Sequence, residues 1–311
     1  MLRITNGQKL GCYQVESFLG RGAFTQVFLV KDELGDVWAM KLGDESGGGK
    51  NLPRFGEVTV TRDPRAVSPD ETPAEALFID PQYGPKPEVI DASEVDELLR
   101  EESKLLKKAA GQGTPKLKEV IDLDGRPALI MEYIEGATLR ERIRSMEGVK
   151  LSWLNEVAKI VLDLKDLGWE CHGDLKPENI LIGNNDNVYV IDPVSSGNRN
   201  DRIVATPWYN PFLKCNSKGD AQAIAIMLYE LLIGGVPFGD TPWEFAGMDH
   251  SRLDIDQVDL SRSLFLSYVP MRSVNVLAPR HIEYIFHRAM CDADFGLEEF
   301  SKEFEAFLVR S

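Results

Sequence analysis

His172-Gly173-Asp174-Leu175-Lys176-Pro177-Glu178-Asn179-Ile180-Leu181-Ile182, followed shortly by Val188-Tyr189-Val190-Ile191-Asp192, decides how this chain is read. Within six residues it presents a carboxylate, a cation and a carboxamide, with a second carboxylate thirteen positions past the Asn. The apolar runs 180–182 and 188–191 read as short strands, so the polar groups fall on the loop before them. Transfer of a phosphoryl group from a nucleotide needs an acceptor for the hydroxyl proton, a cation beside the moving charge and oxygen ligands for Mg2+. Each has a candidate here. An ordinary polar loop before a strand that ends in a capping Asp would have to assemble these residue types at these intervals by chance.

Working outward toward the N-terminus, residues 13–19, 27–31 and 37–42 read as strands of an antiparallel meander separated by Gly-containing turns. Between the first two lies Gly20-Arg21-Gly22-Ala23-Phe24-Thr25-Gln26-Val27, whose glycines leave backbone N–H groups free to approach a polyphosphate. On the next strand, Ala39-Met40-Lys41 offers a lysine placed to neutralise phosphate oxygens, provided a partner holds it inward. That partner can come from Arg100-Glu101-Glu102-Ser103-Lys104-Leu105-Leu106. Glu102, with leucines three and four positions on, is the preferred residue and Glu101 the alternative. The helix that carries them is expected from Ser93, an N-cap with Asp96 three residues later, to Gly111, about four turns. Two further strands, 117–123 and 127–133, flank the hairpin turn Asp124-Gly125, completing a sheet of five strands and one helix.

Between Lys41 and Glu102 stand sixty residues, an unusually long connection. Gly47, Gly48 and Gly49 open it, and residues 53–87 hold seven of the seventeen prolines. An irregular insertion over 43–95 is expected, with a small hairpin of 57–61 against 77–80. Its place between the two ion-pair residues suggests regulation of the site or recruitment of a partner. Beyond Gly136 helices dominate, at 139–146, 152–167, 220–233, 279–291 and 297–309. The short linker 132–138 joins the sheet-rich and helix-rich halves, and a cleft is expected at the join.

Composition narrows the function classes. With 35 Lys+Arg against 50 Asp+Glu the 311-residue chain carries a formal net charge of −15, which disfavours nucleic-acid and anionic-membrane partners. At 43% hydrophobic and 27% charged residues it can fill ordinary cores, and wholesale disorder is excluded. No apolar run approaches a membrane span, and no signal peptide is recognisable. Cys12, Cys171, Cys215 and Cys291 lie far apart, which fits neither a zinc knuckle nor a dense disulfide framework and suggests a cytoplasmic protein.

Taken together, the Gly20/Gly22 loop with Val27, Ala39-Met40-Lys41, Asp174-Leu-Lys-Pro-Glu-Asn179, Asp192 and the helix opening at Asp220 resemble the eukaryotic-type (Hanks-type) serine/threonine protein kinase family, in a divergent form, over residues 13–310. The resemblance implies an α+β, bilobal fold, with an N-lobe of residues 1–134 containing the insertion and a C-lobe of 135–311. It implies ATP in the interlobe cleft with Mg2+, and a protein substrate phosphorylated on Ser or Thr. Lys41 would meet the α- and β-phosphates with Glu102 as its ion pair. Asp174 would be the catalytic base, Lys176 would face the γ-phosphate, and Asn179 and Asp192 would hold Mg2+. Adenine would be gripped by the backbone of Glu132 and Ile134, beside Met131, between Val27, Ala39 and Leu181. In Thr206-Pro207-Trp208-Tyr209 the Thr hydroxyl would contact Asp174 and Lys176 at the substrate loop.

The departures are informative too. Gly173 stands where the family usually has the Arg that reads an activating phosphate, so activity is expected to be independent of loop phosphorylation. Asp192-Pro193-Val194 replaces Asp-Phe-Gly, and Asn210-Pro211-Phe212 replaces Ala-Pro-Glu. Two other readings compete: a small-molecule phosphotransferase of the aminoglycoside and choline kinase type, suggested by His-Gly-Asp, and a pseudokinase that binds or scaffolds without turnover. Lys-Pro-Glu-Asn argues against the first, and the presence of Lys41, Asp174, Asn179 and Asp192 against the second.

Overall fold

The computed structural model describes residues 4–22, 24–44, 92–145, 148–193, 208–210, 215–237 and 268–310. The N-terminal part is an antiparallel sheet of β1 (Lys9–Leu10), β2 (Tyr13–Arg21), β3 (Thr25–Lys31), β4 (Val37–Gly43), β5 (Leu117–Leu123) and β6 (Arg126–Glu132), in the order β1-β2-β3-β4-β6-β5. Five of the six strands follow the sequence expectation. The sixth, β1, is two residues long, too short to show any alternation.

The period of two in these strands sorts their side chains onto two faces. Phe28, Val30, Met40 and Ile130 pack with Tyr13 and Val15 on one face. Leu129 and Met131 turn to the other, against Val95, Leu99 and Leu106 of α1 (Ala92–Ala109). Ala39 and Lys41 flank Met40 and therefore share the α1 face. The helix starts one residue earlier than expected, so Ser93 lies within its first turn and does not precede it. Asp96 is drawn instead to Arg126 on β6, whose Nη2 donates to its Oδ1 at 2.9 Å. At 18 residues, α1 is closer to five turns than four.

Because Gly43 closes β4 and Ala92 opens α1, the connection between them is shorter at both ends than 43–95. Residues 45–91, and with them the hairpin expected at 57–61 and 77–80, lie outside the described residues.

After β6 the chain passes through residues 133–135 into a small sheet, β7 (Gly136–Thr138), β8 (Ile180–Gly183) and β9 (Val188–Val190), in that order. The stretch read as a linker thus holds a strand. Gly136 allows it to approach β8, since a Cβ there would collide with the Ile182 carbonyl. Among the described residues the further helices are α2 (Leu139–Ser145), α3 (Leu151–Asp166), α4 (Ser217–Ile233), α5 (Met271–Val274), α6 (Arg280–Cys291) and α7 (Leu297–Arg310). From Gly219 to Glu230 every residue of α4 is buried, so this helix is the axis of the C-terminal core. It opens at Ser217, where the Asn216 side chain accepts from the Gly219 N–H at 3.0 Å. Asp220 therefore sits a turn inside the helix and does not open it. No described helix is long and apolar enough to cross a membrane.

Candidate active site

Strand register gathers the first group of site residues. Val27 pairs with Lys41 between β3 and β4, and Ala39 pairs with Met131 between β4 and β6. On α1 the buried positions Val95, Leu99, Glu102, Leu106 and Ala109 recur every three or four residues, so Glu102 interrupts an apolar stripe aimed at the sheet. Glu101 falls off that stripe. Lys41 Nζ donates to Glu102 Oε2 at 2.6 Å and Oε1 at 2.7 Å, and also to Asp192 Oδ1.

The Lys41–Glu102 pair is nearly closed to solvent, with side-chain exposures of 6% and 9%, whereas the Asp192 side chain is 39% exposed. Burial alone would lower the Lys41 pKa, but the charges of Asp192 and Glu102 outweigh it and hold the ammonium protonated. Burial raises the Glu102 carboxyl in spite of Lys41. The same burial acts on Asp192, where the Lys41 cation and its hydrogen bond prevail and leave the carboxyl below its usual range. Two anions thus share one buried cation.

The second group is held by the loop after α3. Lys176 Nζ donates to Asp174 Oδ2 at 2.7 Å, and the Asn179 side-chain amide donates to the Asp174 carbonyl at 2.9 Å. Burial works against the Lys176 charge, but Asp174 more than offsets it and the pKa is raised. The two groups meet through the chain at Ile191, whose N–H donates to the Asn179 carbonyl at 2.9 Å just before Asp192. Over them lies the β2–β3 turn. Gly20 pairs with Val27, the Gly22 N–H donates to the Thr25 carbonyl at 2.8 Å, and a Cβ on Gly22 would stand 3.5 Å from Asp192 Oδ2. Leu181 lies on β8 opposite Thr138, and the Glu132 N–H donates to the Lys116 carbonyl at 2.9 Å. Ile134 is half-exposed beside it. Thr206 lies outside the described residues.

Several contacts that shape the site carried no legible signal. The Asp220 carboxylate, on the buried helix α4, accepts from the backbone N–H groups of His172 at 2.8 Å and Gly173 at 3.0 Å. Burial lifts its pKa to about 6 despite both hydrogen bonds. Gly173 has φ 81°, a left-handed conformation that glycine adopts without strain. Arg140 on α2 donates from Nε to Glu178 Oε1 at 2.7 Å and from Nη1 to Glu230 Oε1 at 2.5 Å, with Nη2 on the Tyr209 hydroxyl. Its guanidinium thus ties the turn Pro177–Asn179 to α4. From sequence alone, an Arg in Leu139-Arg140-Glu141 reads as a solvated helix face. Cys171 and Cys215 are disulfide-bonded, a pairing that their 44-residue separation did not announce.

His172 is fully buried, and its tautomer follows from its neighbours. Nε2 lies 3.0 Å from the Ile191 carbonyl, which can only accept, while Nδ1 accepts from the Asp174 N–H. The ring is therefore neutral, and burial depresses its pKa below the ordinary 6.5. The native chain binds fewer protons here than the unfolded one, so His172 contributes stability above pH 6.5 that is lost as pH falls below it. Asp220 acts in the opposite sense, because its raised carboxyl takes up a proton more readily in the fold. Replacing His172 by Gln isolates the His172 contribution: between pH 7.5 and 5.5 the wild-type melting temperature should fall more steeply than that of the variant. Parallel profiles would contradict the assignment.

Asn179 and Asp192 present a carboxamide and a carboxylate oxygen, a hard donor set suited to Mg2+. Among the described residues no group of three or more His, Cys, Asp or Glu is arranged to hold a metal.

The Protein kinase domain family matches residues 86–276, more than half of the chain. A serine/threonine-protein kinase of Caenorhabditis elegans, kin-29, is 32% identical over 168 residues, covering 48% of this chain and 20% of its own length. PrkC, a serine/threonine-protein kinase of Bacillus subtilis (strain 168), is 24% identical over 233 residues, 69% of this chain and 35% of its own. The chain thus spans about a third or less of these relatives. Among solved structures, the apo form of PpkA-294 superposes with a TM-score of 0.64 at 15% identity, covering 97% of this chain and 99% of that one. The PknI kinase domain of Mycobacterium tuberculosis, solved as a point mutant, superposes at 0.58 and 15%, covering 98% and 99%. At such identities these two show the α+β, bilobal fold, and the sequence match over residues 86–276 adds the lineage: the chain belongs to the protein kinase domain family.

Proposed function

We propose that this chain transfers the γ-phosphate of ATP to Ser or Thr hydroxyls of protein substrates, with an N-lobe of residues 1–134 and a C-lobe of 135–311, acting in the cytoplasm. One observation carries the reading: the Lys41–Glu102–Asp192 triad is assembled next to Asp174, Lys176 and Asn179. A chain that kept only the scaffold would have no need to bury these charges, which are costly to desolvate.

In this reading Lys41, aligned by Glu102, meets the α- and β-phosphates under the Gly20/Gly22 turn. Adenine lies between Val27, Ala39 and Leu181, beside Met131, and is recognised by the backbone of Glu132 and Ile134. Asn179 and Asp192 hold Mg2+, which when bound neutralises phosphate charge. Asp174 takes the proton of the attacking hydroxyl, and Lys176, kept cationic beside it, faces the phosphoryl group in transit. Thr206 orients the acceptor. The insertion read at 43–95, here the connection between Gly43 and Ala92, is assigned to control of the site or to a regulatory partner.

Incubation with labelled ATP, Mg2+ and a generic protein acceptor, followed by phosphoamino-acid analysis, should yield phosphoserine or phosphothreonine. An Asp192→Ala chain should yield neither and should lose Mg2+-dependent nucleotide binding. Equal labelling by both chains would overturn the assignment.

A further inference from the structure

Cys171 immediately precedes His172 at the root of the catalytic loop, and Cys215 immediately precedes Asn216, the N-cap of α4. Their Cα atoms lie 6.1 Å apart and their sulfurs are bonded. We propose that these two cysteines form a reversible thiol–disulfide site, and that its oxidised form fastens the catalytic loop to the start of α4 and raises phosphoryl transfer.

The placement is what gives the bond leverage. The loop it closes, residues 171–215, contains Asp174, Lys176, Asn179 and Asp192, every candidate for base, γ-phosphate contact and metal ligand. Non-covalent tethers hold the same loop from α4 and from the chain before it. Asp220 on α4 accepts from the His172 and Gly173 N–H groups, and the Asn210 side chain donates to the Gly173 carbonyl at 3.2 Å. With glycine at 173, no guanidinium at that position can tie down the chain between Asp192 and Cys215 through a phosphate. A covalent tie at the far end of that chain does related work by other chemistry.

The two residues differ in exposure. Cys171 is 4% exposed, whereas Cys215 is only partly buried, so Cys215 meets the oxidant. With hydrogen peroxide, the Cys215 thiolate attacks one oxygen, the O–O bond breaks, and hydroxide leaves a sulfenic acid behind. The Cys171 thiolate then attacks the Cys215 sulfur, the S–O bond breaks, and a second hydroxide departs as the S–S bond forms. Two thiols lose two electrons, peroxide becomes two waters, and the thiol protons balance the hydroxides. A dithiol such as dithiothreitol reverses the process by exchange.

The test uses the full chain in a Cys12→Ser/Cys291→Ser background, which removes the two thiols that are free in the structure. After peroxide, peptide mapping should find Cys171 linked to Cys215, and dithiothreitol should release both for alkylation. Hydrogen exchange at the His172 and Gly173 amides should be at least about tenfold slower in the oxidised form, and turnover several-fold higher. A further Cys215→Ser substitution should match the reduced form in both readouts and ignore oxidant and reductant. Failure to form the linked peptide, resistance of the bond to dithiothreitol, or unchanged amide exchange overturns the site. The turnover arm rests on the kinase reading. Linkage and altered exchange with no turnover in either state would overturn that reading and leave the thiol site standing, whereas equal turnover in both states would refute the gain in transfer.

Discussion

An Asp174→Asn chain should turn over about 100- to 10,000-fold more slowly than wild type, the range associated with loss of a positioned general base. Asn occupies nearly the same volume, and the carbonyl of residue 174, which accepts from Asn179, is untouched by the substitution. Lys176 loses its 2.7 Å anionic partner but keeps part of its side chain in solvent, so the fold should survive. The effect should therefore fall on kcat, with the KM for ATP changed little, since the nucleotide contacts proposed for Lys41 lie elsewhere. Steady-state kinetics on a protein acceptor provide the check. Turnover within about threefold of wild type would remove Asp174 from the chemistry.

Lys41→Met should have the largest effect on stability. Glu102 and Asp192 would lose their shared cation, and removing one partner of a buried pair costs about 3–5 kcal/mol. Against a total stability of about 5–15 kcal/mol, such a loss is readily seen in urea unfolding. Its pH dependence has a definite sign: a buried Glu102 without Lys41 takes up a proton more easily, so the deficit should shrink as pH is lowered. Adding Glu102→Leu should recover most of the stability and none of the nucleotide affinity. If the single variant unfolds at the wild-type urea concentration, the buried Lys41–Glu102 pair does not exist as described.

How much of this was legible beforehand depended on how local the signal was. The short apolar runs 27–31 and 37–42, set between Gly-containing stretches, revealed β3 and β4, because the signal for each lies within a few residues. The loop Asp174–Asn179 was legible because its residue types stand close together. Glu102 and Glu101 differ only in their place relative to Val95, Leu99 and Leu106, and the packed stripe decides between them. Contacts distant in sequence were invisible. Asp220 reaches back 48 residues to the His172 N–H, and Arg140 reaches forward 90 to Glu230. Neither separation leaves a periodic trace. Gly173 could be read only as a missing Arg, whereas its φ of 81° supplies a conformational reason for glycine.

The sheet order β1-β2-β3-β4-β6-β5 also bears on how the N-terminal part assembles. The meander β1–β4 and the hairpin β5–β6 each form from sequence-local pairings, and the junction of β4 with β6 must then bring together chain ends far apart in sequence. The entropy of that ring closure rises only logarithmically with length, by about 0.6 kcal/mol per doubling. Residues 44–91 could thus be cut to about a quarter, or have grown from such a size, while the ring closed by β4 and β6 changes by less than one doubling, a closure difference below about 0.6 kcal/mol. Chain length between Lys41 and Glu102 is in this sense nearly neutral to folding, and what occupies it is free to answer to selection of another kind.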